Sequence, residues 1–142
     1  MKNIVTVAIL GAGNRGREAY GQYILEHPGD IKVVAVAEPD REKRGLFAKE
    51  HKISKAYQFK SQDELLAKGR LADGIIIATL DTMHLKPALI AMDKGYKILL
   101  EKPITIDLEG TLEIVNKAKE TGSKVLVAHV LRYTKFYRCF KY

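Results

Sequence analysis

Glycines at a fixed spacing form the first group of residues in this sequence that could bind a ligand. A strand-like apolar run, IVTVAIL, leads directly into the G-x-G-x-x-G pattern formed by Gly11, Ala12, Gly13, Asn14, Arg15 and Gly16. In a turn between a strand and a helix, Gly11 would allow the tight turn and Gly16 would let the helix approach the strand. Gly13 would let a diphosphate approach the backbone, where the first N–H groups of the helix could bind it. The pattern indicates a dinucleotide site only where a βαβ unit and an acidic residue follow.

The acidic residue that this pattern requires is Glu38, which ends the second strand-like run about twenty residues after the loop. Its carboxylate would accept hydrogen bonds from the adenosine ribose hydroxyls and would repel a 2′-phosphate, which favours NAD over NADP. NADP stays possible because Arg41 lies nearby and could stack on adenine or meet a phosphate. The alternative is that Glu38 only caps the next helix, near Pro39 and Asp40.

Polar residues also follow the fourth strand-like run. Thr79, Asp81 and His84 come directly after GIIIA. Because ligands of open α/β sheets bind at the carboxyl ends of the strands, we expect these three residues to line the cofactor groove. For His84 the alternative is a residue in the first turn of a helix that is bonded to local backbone.

An acid, a lysine and a proline follow the fifth strand-like run. Pro103 restricts Lys102 to an extended conformation and can support a cis peptide bond. A partly desolvated lysine has a lowered pKa and can move a proton in carbonyl chemistry. The alternative is that Glu101 and Lys102 form a surface ion pair worth under ~1 kcal/mol.

The elements that must position these residues alternate along the chain. Strands are predicted at 4–10, 31–37, 56–59, 74–79, 96–100 and 124–128, with helices between them. This pattern predicts an α/β fold, a doubly wound parallel (Rossmann) sheet of six strands in the order 3-2-1-4-5-6, with helices on both faces. Leu46 and Phe47 are expected to face inward, as are four residues of the helix predicted at 107–121: Leu108, Leu112, Val115 and Ala118.

Length, charge and cysteine content exclude several other classes. The chain has 142 residues, enough for one domain that needs neither disulfides nor a metal. Cys139 is its single cysteine, so a reducing cytoplasm is expected. The first residues are predicted to form a strand rather than a signal peptide, and no apolar run approaches the ~18 residues of a membrane span. The net charge of +7 is spread among acidic residues, so nucleic-acid binding is not predicted.

The C-terminal stretch, LRYTKFYRCFKY, is both aromatic and basic and departs from the alternating pattern. It is too apolar for a solvated terminus, so we expect it to pack against a surface outside this chain. RNA or anionic lipid is a weaker alternative partner for such a composition.

The motifs GAGNRG, AEPD, TLDTMH, EKPI and AHVLRYTKFYR together resemble the glucose–fructose oxidoreductase, inositol dehydrogenase and rhizopine-catabolism family, Gfo/Idh/MocA. The resemblance spans the whole chain, and EKP is its most specific motif. It implies an NAD(P)-dependent dehydrogenase that oxidises a hydroxyl of a sugar, a cyclitol or a similar small molecule, or runs the reverse reduction. Many members have Thr-Pro-Asn where this chain has Thr79-Leu80-Asp81, so an additional carboxylate stands there.

The resemblance also implies a role for each motif residue. Glu101 and Lys102 would lie beside the nicotinamide, with Lys102 taking part in proton transfer or substrate binding. His129 and Arg132 would face the active site from the segment after the sixth strand. The remaining cofactor-binding residues would be Gly11, Ala12, Gly13, Asn14, Arg15, Glu38, Thr79, Asp81 and His84.

Members of this family usually continue into a second α/β domain that supplies most of the substrate pocket. The resemblance therefore implies that residues 1–130 form an NAD(P)-binding domain and that 131–142 begin the connection to a substrate domain. The isolated chain would then be inactive, and the full-length protein a cytoplasmic homo-oligomer acting on a sugar-like substrate. The alternative is a standalone NAD(P)-binding sensor or regulatory module.

Overall fold

The computed structural model describes residues 3–139, which form a six-stranded parallel sheet. The strand order β3-β2-β1-β4-β5-β6 confirms the predicted doubly wound topology. The strands are β1 (Val5–Leu10), β2 (Ile31–Ala37), β3 (Gln58–Phe59), β4 (Gly74–Ile77), β5 (Lys97–Leu100) and β6 (Val125–Val127).

Helices connect the strands, as expected for parallel neighbours. The first connection begins as a π-helical segment, Asn14–Gly21, and continues as α1, Gln22–Glu26. Short 3-10 turns at Lys55–Tyr57, Asp81–Met83 and Val130–Tyr133 complete the connections. The other helices are α2 (Arg41–Glu50), α3 (Gln62–Ala67), α4 (Leu85–Asp93), α5 (Leu108–Thr121) and α6 (Lys135–Arg138).

Short polar side chains begin several of these helices. Asp40 caps α2 by accepting from two backbone amides, and Asp107 caps α5 in the same way from Gly110. Ser61 accepts from the amide of Glu64 at 3.1 Å, while the Glu64 carboxylate accepts from the amide of Lys60 at 2.9 Å. This is a capping box with its return bond shifted by one residue.

Two apolar layers hold helices against opposite faces of the sheet. One layer joins α3, α4 and α5 to alternate strand residues such as Leu10, Ile77 and Leu100. The other layer joins the segment 14–26 and α2 to the strand residues that point to the opposite face, including Ile9 and Ile76. Successive side chains of each strand point to opposite faces, and helices pack on both faces, so the strands are almost wholly apolar.

Two of the predicted inward faces are wrong in part. Phe47 is fully buried, but its neighbour Leu46 is exposed because the two residues lie on different sides of α2. On α5 the predicted Ala118 packs against the core, while Leu108 is 72% exposed and Leu112 and Val115 are exposed as well. The buried residues of this helix are Gly110 and Ile114, so the side that meets the sheet runs through Gly110, Ile114 and Ala118.

The second face of the sheet is also apolar beyond the segment 14–26. A groove of about 610 Å³ opens there, and its lining includes Val5, Leu99 and Leu126. It lies toward the amino ends of the strands, away from the polar residues singled out by the sequence. No helix within residues 3–139 is both long enough and apolar enough to cross a membrane.

Candidate functional site

The polar motif residues meet at one edge of the sheet, where the parallel strands end. The glycine loop follows β1, Glu38 follows β2, Thr79 follows β4 and Glu101 follows β5. Because β2 and β4 lie on either side of β1, the chain leaves β1 at the point where the strand order reverses. This crevice is the usual ligand site of an open α/β sheet.

The glycines of the loop occupy different environments. Gly11 has φ of +89°, and a Cβ there would lie 2.5 Å from the Ala78 carbonyl oxygen. A Cβ on Gly16 would overlap the Gly11 carbonyl oxygen, whereas no protein atom lies within 4 Å of the Cβ position on Gly13. Gly11 and Gly16 are therefore needed by the fold, and the open side of Gly13 is where a ligand can approach the backbone.

Glu38 ties the end of β2 to the glycine loop. Its Oε2 accepts a hydrogen bond of 2.8 Å from the amide of Ala12, and its Oε1 accepts one of 3.0 Å from the amide of Asp40. The side chain is buried, and Asp40 rather than Glu38 caps α2. Each carboxylate oxygen still has a lone pair, so the carboxylate can also accept from a ribose hydroxyl.

Thr79 and His84 lie at the end of β4 in unlike environments. The Oγ1 atom of Thr79 is buried and has no hydrogen-bond partner among residues 3–139. His84 is 0% exposed; its Nδ1 lies 2.9 Å from the Pro103 carbonyl oxygen and its Nε2 lies 3.2 Å from that of Thr79. The role of His84 in the cofactor groove stays a prediction. Its ring joins the ends of β4 and β5 through backbone contacts, as in the alternative interpretation.

A buried ionic cluster surrounds the end of β5. Glu101 is 4% exposed and accepts from Arg15 Nε at 2.7 Å, from the Tyr20 hydroxyl at 2.5 Å and from the Lys102 amide at 3.1 Å. Burial raises the pKa of Glu101, but the hydrogen bonds from Tyr20 and Arg15 outweigh burial and bring that pKa below its usual value. Tyr20 was not singled out by the sequence, because no local motif connects it to a strand end so distant in the chain.

Lys102 differs from the sequence expectation in one respect. The Lys102–Pro103 peptide bond is cis, as the sequence allowed. The expectation that the Lys102 side chain is partly desolvated is wrong, because it is exposed at the edge of the sheet. The side chain is therefore accessible to a ligand.

The other candidate residues are exposed around the same edge. Asn14 begins the π-helical segment, Asp81 begins a 3-10 turn and Arg41 begins α2. His129 and Arg132 follow β6, and within residues 3–139 neither side chain is hydrogen-bonded to the rest of the site. Their roles stay predictions.

The residues at this edge fit a dinucleotide. The open side of Gly13 can receive a diphosphate, next to backbone N–H groups that the following helix leaves without intrahelical acceptors. The Glu38 carboxylate can accept a hydrogen bond from a ribose. The buried hydroxyl of Thr79 has no hydrogen-bond partner within residues 3–139, and a ligand could supply one. The open side of Gly13 and the hydroxyl of Thr79 are therefore features that a bound ligand would explain.

Comparison with known proteins decides the family. The model of the GFO_IDH_MocA family, described as "Oxidoreductase family, NAD-binding Rossmann fold", matches residues 5–129. The chain belongs to this oxidoreductase family. The family is NAD-binding, so the expected family, fold and type of cofactor are confirmed.

The curated relatives are much longer than this chain. The chain is 31% identical over 139 residues to a scyllo-inositol 2-dehydrogenase (NAD(+)) of Bacillus subtilis, covering 96% of this chain and 39% of that enzyme. It spans less than half the length of the curated relatives that it matches.

Solved structures share the fold. A WlbA dehydrogenase from Bordetella pertussis, in complex with NADH and UDP-GlcNAcA, superposes with a TM-score of 0.86 at 20% identity, covering 98% of this chain and 41% of that one. KijD10, a 3-ketoreductase from Actinomadura kijaniata in complex with NADP, gives 0.82 at 17% identity, covering 97% and 42%.

Proposed function

We propose that this chain is the nucleotide-binding part of an NAD-dependent dehydrogenase that acts on a sugar-like or cyclitol-like alcohol. The observation that carries the proposal is the joint arrangement of the open Gly13 and the buried Glu38 at the sheet's switch point. The inositol specificity named for the Bacillus relative and the sugar nucleotide bound by WlbA support this substrate class.

The chain's own residues divide the work between binding and proton movement. The loop amides would hold the diphosphate, and Glu38 would accept from the adenosine ribose. When bound, a nicotinamide supplies hydride transfer. Lys102 Nζ, exposed at the end of β5, would donate or accept the proton of the reacting hydroxyl. Glu101 would lie beside the nicotinamide, and His129 and Arg132 would face the substrate.

NAD is proposed over NADP because Glu38 is a buried carboxylate held by two backbone amides. A 2′-phosphate would meet this negative charge at close range. Arg41 is exposed on the neighbouring helix and is the cation that could offset the repulsion. Selectivity between the two nucleotides is therefore expected to be moderate.

The proposal also includes a domain boundary and the state of the complete protein. Every residue from 129 to 139 is exposed, which supports a boundary near residue 130 between the nucleotide-binding domain and a connecting segment. The complete protein would be a cytoplasmic homo-oligomer, and the isolated chain would bind nucleotide with little or no turnover.

Calorimetric titration of the folded 142-residue chain with NADH and NADPH tests the proposal. NADH should bind more tightly, and Glu38→Gln should weaken NADH binding by about tenfold while narrowing the difference from NADPH. Glu42→Gln, on the exposed first turn of α2, is the matched control and should change neither affinity. Lys102→Ala should keep NADH binding. Folded wild-type chain that binds neither nucleotide would overturn the proposal.

A further inference from the structure

The cluster around Glu101 connects three separate parts of the chain. Arg15 belongs to the glycine loop, Tyr20 to the π-helical segment and Glu101 to the end of β5. Besides their bonds to the same Oε1 atom, Arg15 and Tyr20 contact each other, since the guanidinium carbon lies 5.5 Å from the Tyr20 ring centroid. That distance is within the range of a cation–π interaction.

The protonation states in the cluster make Tyr20 and Arg15 the donors and Glu101 the acceptor. Burial raises the pKa of Tyr20 to about 12, with the Glu101 hydrogen bond acting in the same direction. The Tyr20 hydroxyl therefore keeps its proton at neutral pH and always donates. Glu101 is ionised, and its hydrogen bond with Arg15 raises the pKa of that guanidinium further. A carboxylate with charged and neutral donors around one oxygen holds both donors in place.

The arrangement leaves part of Arg15 accessible to a ligand. Its side chain is 47% exposed although Glu101 binds its Nε. Arg15 is two residues after Gly13, whose open side was assigned above to the diphosphate. The Oε2 atom of Glu101 meanwhile accepts from the backbone of Lys102. One carboxylate thus contacts both the phosphate loop and the lysine of the proposed reaction.

We propose that Tyr20 is a positioning residue that acts through Glu101 to hold the Arg15 guanidinium at the phosphate loop. This inference rests on the proposed function, because Arg15 matters only where the loop binds a dinucleotide. Without the Tyr20 hydroxyl, Glu101 loses a donor and binds Arg15 in a less defined orientation. The nucleotide must then immobilise the guanidinium itself, which lowers its affinity.

A double-mutant cycle on the 142-residue chain tests whether Tyr20 acts through Glu101 or only by filling space. Tyr20→Phe keeps the ring beneath Arg15 and removes the hydroxyl, and it should weaken NADH binding by about threefold to tenfold. In the Glu101→Gln background the same change should alter affinity by less than about twofold. Tyr23→Phe, on the exposed side of α1, is the matched control and should have no effect. Equal effects of Tyr20→Phe in both backgrounds, or none in either, would overturn the proposal.

A measurement without nucleotide separates this inference from the proposed function. In chain labelled with ¹³C at glutamate carboxyls, the signal absent from Glu101→Gln identifies Glu101. Its pKa should be higher in Tyr20→Phe than in the wild type, because one stabilising donor is gone. An unchanged Glu101 titration counts against Tyr20 whatever the chain binds. The expected shift in a chain that binds neither NADH nor NADPH would instead remove the proposed function and leave the Tyr20–Glu101 interaction standing.

Discussion

The Glu38 carboxylate accepts a hydrogen bond of 2.8 Å from the backbone amide of Ala12, 26 residues earlier in the chain. The acid that spacing predicted as the ribose acceptor therefore also holds the loop that would receive the phosphates. Backbone amides orient both oxygens of the Glu38 carboxylate before any ligand binds. The two ends of the adenosine diphosphate site are thus built as one unit, which lowers the entropic cost of binding.

Replacing Gly16 by alanine should destabilise the chain. The added Cβ would overlap the Gly11 carbonyl oxygen, so the helical segment must move away from β1, at a cost of about 1–3 kcal/mol. Gly45→Ala is the matched control, because no atom lies within 4 Å of its Cβ position and Gly45 lies within α2. It should stabilise by about 0.5–1 kcal/mol. Urea unfolding of both variants gives the comparison, and equal shifts would contradict the packing argument.

Removing the unpaired hydroxyl of Thr79 should separate stability from ligand binding. Thr79→Val takes a buried polar atom without a partner out of the protein, so the free energy of unfolding should be unchanged or higher. The same substitution should weaken NADH binding by about tenfold if the nucleotide supplies the missing partner. Thr79→Ser keeps the hydroxyl and should bind as the wild type does. Unfolding and titration of the same samples provide both measurements, and full affinity in Thr79→Val would contradict the assignment.

His51 should make stability depend on pH. Its ring is buried against Phe47, at 4.3 Å between centroids, and its Nε2 has no hydrogen-bond partner in the described part of the chain. Burial lowers the pKa of His51 in the folded chain below 6.5, its ordinary value. As pH falls through 6.5, the unfolded chain binds a proton that the folded chain resists, so stability declines by up to about 1.4 kcal/mol per pH unit.

Urea unfolding between pH 7.5 and pH 5.5 measures this dependence. His51→Gln should flatten it. A slope that is the same in the wild type and in His51→Gln would assign the effect to other groups.

The aromatic segment after β6 should promote self-association. Tyr133 is 69% exposed and Phe136 is 67% exposed, which is unusual for large apolar side chains lying close together in the chain. Phe140, expected to share this surface, lies outside the described residues. Size-exclusion chromatography at several concentrations should show larger species for the whole chain than for the chain ending at residue 130. Identical monomer profiles would contradict the prediction.

Local patterns predicted the fold well because each element carries its own signal. The apolar runs located all six strands, and Gly122, which has φ of +66°, ends α5 where expected. The inward face of α5 was wrong except at Ala118, because apolar residues lie on several sides of this helix and only the packed structure shows which side meets the sheet. Tyr20 was missed for a related reason, since its partner Glu101 is 81 residues away. No spacing rule connects positions that only the folded sheet brings together.

The position of His84 has a consequence for how the crevice moves. Because one ring contacts backbone oxygens of both Thr79 and Pro103, neither loop can open without breaking a contact to the other. The amides of residues 79–84 and of Glu101 and Lys102 should therefore exchange hydrogen for deuterium as one cooperative unit, with a common opening free energy. A displacement of the loop after β4 would then be transmitted through the His84 imidazole to the turn that contains Lys102.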